Sequence, residues 1–152
     1  MKKIRESTDK IIEWSLITIL GVMVLNVLWQ VFTRFFTATP SSYTDELARY
    51  LMIWLGILGA AYVAGKNEHV AIDFFAKKVS ASKQKLISKF ISAAVVSFAF
   101  FGMVVGGSRL VYITTKLEQF SPSLKIPLAL VYGVIPFSGL LIIFYKLTQN
   151  EK

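Results

Sequence analysis

Residues able to do chemistry are few in this chain, and their spacing scatters them. Cysteine is absent and there is one histidine, His69. That removes disulfides, thiol redox chemistry, iron–sulfur clusters and Cys-ligated zinc, and leaves too few imidazoles for a bis-His haem or a multi-His metal site. His69 lies between Glu68 and Asp73 with no other ligand types near. It reads as an interfacial hydrogen-bonding residue before it reads as a ligand or a pH switch. A Gly-rich phosphate loop, a Ser–His–Asp set and a clustered carboxylate pair are all missing, so the chain is not expected to be an enzyme. Asp45 and Arg49 stand at i,i+4, a spacing that allows an ion pair on one helix face. Asn26 and Gln30, also at i,i+4, sit in an otherwise apolar run. A solute or ion contact is one use for them, and hydrogen bonding between helices is the commoner one. No cofactor is expected beyond bound phospholipid.

The elements that position these groups follow from the apolar background. The chain has 152 residues, 55% hydrophobic, with 12 Phe, 6 Tyr and 3 Trp, at a mean hydropathy of +0.58. Charges punctuate it. Uncharged windows of 20, 16, 19 and 20 residues lie between Glu13 and Arg34, Arg49 and Lys66, Lys89 and Arg109, and Lys125 and Lys146. A membrane-crossing helix needs about 20 apolar residues, with a range of about 17–25. The second window reaches that length if Asp45, Glu46 and Arg49 belong to the same helix at headgroup level. Ser41, Ser42 and Thr44 supply N-cap oxygens for it, and the two acids suit the first turn of a helix dipole. The expected fold is an all-α membrane protein in one domain, residues 1–152, with four transmembrane helices at about 14–33, 43–65, 84–109 and 127–146. The first apolar run is too long for a signal-peptide core and lacks an A-x-A site, so it reads as an uncleaved span.

Net charge at neutral pH is +8, and its distribution assigns it to topology rather than to nucleic acid. With both termini cytoplasmic, 12 Lys and Arg lie inside and 5 outside, as the positive-inside rule favours. Membrane lipids are the expected counterpart of that charge. Between the second and third spans, Ile72, Phe74, Phe75 and Val79 alternate with basic residues. The pattern predicts a short interfacial amphipathic helix at about 72–79, with Lys77, Lys78, Lys83 and Lys85 at lipid headgroups. A third helix running 82–116 would be about 50 Å long and overshoot a hydrocarbon core of about 30 Å.

In the third loop, Pro122 and Pro127 prevent regular helix, and Pro127 suits the first turn of the fourth span. Pro136 falls mid-span, removes the hydrogen bond to the Tyr132 carbonyl and predicts a kink. Small residues mark helix-packing or partner-facing surfaces: Gly56, Ala60 and Ala64 step by four, and Gly102 and Gly106 form a GxxxG, read first as internal packing. Asp45, Glu46, Arg49 and Arg109 all fall near span ends, where they are expected to fix helix ends. No span carries a charge near its centre, unlike chains that carry protons or cations unaided. There is no internal repeat of the self-contained transporter kind.

Three motifs then carry a resemblance. Asp45-Glu46-Leu47-Ala48-Arg49-Tyr50-Leu51 with Trp54, Gly59, Ala60 and Ala61, then His69-Val70-Ala71-Ile72-Asp73, then Gln119, Ser121-Pro122-Ser123-Leu124, Ile126-Pro127, Tyr132 and Pro136, resemble the small, DctQ-like membrane subunit of tripartite ATP-independent periplasmic (TRAP) transporters. One departure is that Leu128, Ala129 and Leu130 follow Pro127 where the family often has an aromatic. The resemblance implies an accessory subunit in the bacterial inner membrane. Its expected partners are a large multi-helix permease, in one-to-one ratio, and a periplasmic substrate-binding protein. The implied role is scaffolding for sodium-coupled uptake of an organic acid, of the sialic acid or C4-dicarboxylate type. Two other classes stand beside it: an independent four-helix transporter or channel, and an anchor subunit of another membrane complex.

Overall fold

The computed structural model describes residues 2–36, 41–66 and 81–149. Its helices are α1 (Lys2–Phe36), α2 (Ser42–Lys66), α3 (Ala81–Phe98), a π-helical segment Ala99–Gly106, α4 (Gly107–Lys116), α5 (Leu128–Tyr132) and α6 (Val134–Gln149). No strand occurs among the described residues, apart from one isolated bridge between Phe120 and Pro127. Four helical stretches are long and apolar enough to cross a membrane: Arg5–Phe36, Ser42–Lys66, Lys89–Lys116 and Leu128–Thr148. The expected fold class is therefore present. The second helix does begin ahead of Asp45, and the third does run unbroken to Lys116. The interfacial helix expected at 72–79, with Lys77, Lys78, His69 and Asp73, lies outside the described residues. Lys83 and Lys85 fall in the first turns of α3.

Helix α1 packs along α2, α2 along α6, and α6 along the third span, with α5 against α4. The fourth span is the enclosed member, 33% of its apolar window being buried against 6% for the first. Where it meets its neighbours the side chains are small. Ala61, Ala64, Ala99 and Ile142 form the buried cluster, flanked by Val95, Met103, Leu141 and Ile143. Lipid tails are as apolar as these side chains, so close van der Waals contact rather than water exclusion holds the helices together.

Two glycines set how close the third and fourth spans come. A Cβ at Gly139 would lie 2.8 Å from Met103 Cβ and 3.0 Å from the Ala99 carbonyl oxygen. One at Gly107 would lie 2.8 Å from Ile135 Cγ2 and 2.9 Å from Pro136 Cδ. Each span thus offers a bare backbone to bulk on the other. The GxxxG pair sits elsewhere: Gly102 and Gly106 are exposed, and a Cβ there would meet only their own helix, at Phe98 and the Phe101 carbonyl. The π segment accounts for the difference. Its i→i+5 bonding winds residues into a wider turn, which changes the phase of the face below it and delivers Gly107 to the contact.

Pro136 lacks the N–H that would bond the Tyr132 carbonyl, and the helical hydrogen-bond pattern is interrupted between α5 and α6 at Gly133, whose backbone stays right-handed helical at φ −58° and ψ −22°. Pro127 itself stays extended, at φ −62° and ψ 125°, as the cap residue just before α5. The break frees carbonyls at membrane depth, where water cannot reach them. Trp54 on α2 supplies one donor: its indole N–H bonds the Val131 carbonyl at 3.1 Å.

Substituting Gly139→Val should lower the stability of the purified chain by about 1–3 kcal/mol through overpacking. Gly56→Ala should be close to neutral, because a Cβ at Gly56 meets nothing within 4 Å. Denaturant titration of the two variants in mild detergent checks the contrast.

Candidate functional site at the N-terminal end of the second helix

Helix α2 begins on a hydroxyl network. Thr44 Oγ1 donates to the Ser41 carbonyl at 2.7 Å and lies 2.6 Å from Ser41 Oγ. This closes the first turn and buries Thr44 completely. The Thr44 carbonyl accepts from Asn26 Nδ2 at 2.7 Å, and Trp29 Nε1 donates to Tyr43 Oη at 3.0 Å. Asn26 is therefore an interhelical hydrogen-bonding residue, joining α1 to the start of α2.

Four residues after the start of α2, Glu46 turns towards the third loop. Its Oε2 accepts three hydrogen bonds: from Ser121 Oγ at 2.6 Å, and from the backbone N–H groups of Ser123 and Leu124 at 3.0 Å each. Tyr50 Oη donates to Oε1 at 3.3 Å. The loop is shaped to present those donors. Ser121 N–H bonds the Ile126 carbonyl and Lys125 N–H the Ser121 carbonyl, while Leu128 N–H reaches back to Gln119. Pro122 carries no N–H to compete, and Ser121 is fully buried. Glu118 and Lys125 both take left-handed φ, 46° and 56°, a conformation that costs a non-glycine residue about 1–2 kcal/mol. Charge-assisted bonds to a carboxylate are among the stronger hydrogen bonds, and they hold the two strained ends in register.

The remaining charged residues at this level divide. Asp45 and Arg49 form the expected i,i+4 pair at 3.2 Å, with both side chains about two-thirds exposed (63% and 66%), so the pair contributes little to stability. Arg109 is exposed and joins no ion pair among the described residues. Glu46 makes hydrogen bonds in place of an ion pair. Its carboxylate is fully engaged, so it positions a loop and is not free to carry protons or hold a cation. Among the described residues no three liganding side chains converge on a metal-sized site.

A second fastening, which reading the chain alone did not reveal, lies at the opposite end of the bundle. Arg5 Nη2 donates to the Gly65 carbonyl at 2.6 Å, capping the last turn of α2 with a positive charge. Tyr145, fully buried, donates to Asp9 Oδ1 at 2.6 Å and packs its ring where a Gly65 Cβ would stand. The i,i+4 spacing of Arg5 and Asp9 is visible in the chain, but their partners are 60 and 136 positions away.

The small-residue stripe of α2 splits. Ala64 is in the buried cluster, whereas Gly56 and Ala60 are exposed in line with Arg49, Met52 and Val63. Residues 45–50, Trp54 and 119–136, which build the Glu46 clasp and the helix break, all lie within residues 23–150. That stretch matches the family described as tripartite ATP-independent periplasmic transporters, DctQ component.

The chain belongs to the DctQ component family of TRAP transporters.

Individual relatives agree with the DctQ assignment. The chain is 28% identical over 149 residues to a Haemophilus influenzae protein whose name assigns it to the TRAP small permeases, covering 98% of this chain and 91% of that one. It is 29% identical over 79 residues to the sialic acid TRAP transporter small permease protein SiaQ of Vibrio cholerae, 52% of this chain and 46% of that one. It is 30% identical over 104 residues to the C4-dicarboxylate TRAP transporter small permease protein DctQ of Rhodobacter capsulatus, 67% and 44%. Arg5 and Asp9 lie outside the matched DctQ stretch, while their partners Gly65 and Tyr145 and the whole Glu46 clasp lie within it.

Replacing Glu46 with Ala in this DctQ-family chain should unpin the loop while leaving the spans helical. Amide exchange at Ser123 and Leu124 should quicken by roughly tenfold or more, as expected when a local hydrogen-bonded unit opens. Exchange in the middle of α6 should stay as it is. Glu46→Gln, which keeps an acceptor oxygen, should fall between the two.

Proposed function

We propose that this chain is the small scaffolding subunit of a TRAP system. In this reading it steadies a large permease that takes up an organic acid, of the sialic acid or C4-dicarboxylate type, coupled to sodium and delivered by a periplasmic binding protein. The observation that carries the proposal is the DctQ match over 23–150. A further relative supports the permease partner. The chain is 29% identical over 91 residues to the sialic acid TRAP transporter permease protein SiaT of H. influenzae, but those residues are only 14% of that protein. There, a segment like this one is a small part of a far longer permease chain, which favours a one-to-one ratio with such a permease here.

The geometry suits a subunit that holds rather than carries. Every charge lies near a span end, and the one carboxylate gripped by the outer loop is saturated with donors. The exposed Gly56–Ala60 stretch of α2, flanked by Met52 and Val63, is the surface proposed to meet the permease, with Gly102 and Gly106 on the third span as the second. Small residues let a neighbouring helix backbone approach closely. The loop over 118–125, braced by Glu46, is the surface proposed to meet the binding protein. The chain is placed in the bacterial inner membrane with both termini cytoplasmic, on the strength of its basic-residue distribution.

Affinity purification in mild detergent tests the assignment. A permease of about a dozen spans should come with the chain in equal amount, and solute flux through the chain reconstituted alone would overturn the proposal. Gly56→Leu and Arg49→Glu should leave the chain folded but reduce permease recovery and uptake several-fold. Substrate preference should not move, and a changed substrate profile with intact assembly would count against a scaffolding role. Orientation has its own check. A fluorescent protein fused to the C-terminus should fluoresce, and alkaline phosphatase at the same position should be inactive.

A further inference from the structure

Helix α1 carries an open groove that none of the contacts above uses. Lys10, Ile11, Trp14, Ser15 and Thr18 line about 460 Å³ along one side of the helix. Their spacing of i, i+1, i+4, i+5 and i+8 makes a single stripe, away from Asp9 and buried Ile12, which face the rest of the bundle. Ser15 Oγ donates to the Ile11 carbonyl and Thr18 Oγ1 to the Trp14 carbonyl, both at 2.8 Å. Both hydroxyls are thus turned down onto their own helix, and the floor presents small, hydrogen-bond-satisfied side chains. Ile11 and Trp14 rise beside it as walls, 67% and 69% exposed. Such a surface takes hydrocarbon rather than a polar solute.

Its depth follows from the charges. Glu13 is the last charged residue before the uncharged window, so Trp14 sits at the boundary where indoles favour the headgroup region. Lys10, one turn further out, reaches the phosphates. The rim also carries the opposite sign. Glu6 and Glu13 stand at i−4 and i+3 from Lys10, all three exposed, and none forms an ion pair among the described residues. Glu13 is also within electrostatic reach of Lys66, and Glu6 stands one helical turn before Lys10. An anionic headgroup would gain one lysine and meet two carboxylates. A choline headgroup has no N–H to donate to them. A primary ammonium beside a phosphate matches both signs at once.

We propose that this groove binds phosphatidylethanolamine, its phosphate on Lys10, its ammonium at Glu6 and Glu13, and one acyl chain along Ile11, Trp14 and Thr18. The inference needs the chain only to span a membrane, and stands apart from its assignment to a TRAP system.

Native mass spectrometry of the purified full chain, with equal amounts of phosphatidylethanolamine, phosphatidylglycerol and phosphatidylcholine of identical acyl composition, tests it. The ethanolamine lipid should be retained about fivefold over either competitor, a difference of about 1 kcal/mol in binding. Lys10→Ala should reduce its retention to the level of the choline lipid. The double variant Glu6→Gln/Glu13→Gln should turn the preference towards phosphatidylglycerol. Equal retention of the three lipids, an unmodified chain that prefers phosphatidylglycerol, or a Lys10→Ala variant that behaves like the parent would each overturn the proposal. So would a photo-crosslinker at Ile11 that, in membranes containing the assembled complex, captures protein instead of lipid. All four positions are exposed on the helix, and circular dichroism of each variant confirms that it remains folded.

Discussion

Hydrocarbon offers a peptide group no hydrogen-bond partner, and each feature of this bundle answers to that constraint. Where the helices are regular, their own backbone satisfies it. Where Pro136 interrupts the fourth span, the break falls at Gly133, and the indole of Trp54 crosses from α2 to the Val131 carbonyl at 3.1 Å. Irregular backbone is kept to the one span that is most enclosed, beside neighbours able to supply donors. The same constraint explains why these polar side chains of α1 are bonded within the protein. Asn26 is buried and bonded to the Thr44 carbonyl, while Ser15 and Thr18 bond their own helix.

Within that limit the bundle is fastened at its two ends and merely close in its middle. At the end where α2 begins, Asn26, Trp29 and Glu46 link α1, α2 and the third loop. At the opposite end, Arg5, Asp9 and Tyr145 link α1, α2 and α6. Between them the contacts are alanines and glycines, which contribute proximity but few directional bonds. Polar fastenings belong at the ends because that is where charged groups can keep part of their hydration. Such a distribution leaves the central faces of α1, α2 and the third span largely uncovered. A subunit built this way has much of its apolar surface still to be matched, by lipid or by a larger protein.

Much of this was legible in the chain alone. The uncharged windows fall in the four helices that are long and apolar enough to cross a membrane, because charge is expelled from hydrocarbon whatever the fold. The start of α2 ahead of Asp45, the Asp45–Arg49 pair and the break before Pro136 are local effects, decided within one or two turns of helix. What stayed hidden was pairing at long range. Glu46 in a first helical turn looks like a dipole-favoured acid, and nothing near it indicates a loop 75 positions away. The three donors of that loop surround one carboxylate only once both are folded. Asp9 and Tyr145 are similar. The packing glycines were hidden for another reason. A GxxxG is read at the α-helical period, but the π segment shifts the phase, so Gly102 and Gly106 lie on the surface and Gly107 enters the contact.

The crossing from Trp54 to Val131 ties the inheritance of one position to the shape of another helix. The amide missing at Pro136 is the one that would reach the Tyr132 carbonyl, so an ordinary residue at 136 would serve Tyr132 and not Val131. In an unbroken helix the donor for Val131 would be the amide of Ile135. A descendant that lost Trp54 while keeping the break would leave the Val131 carbonyl without its donor from α2. Position 54 is therefore tied to the break as a whole, and not to the proline alone.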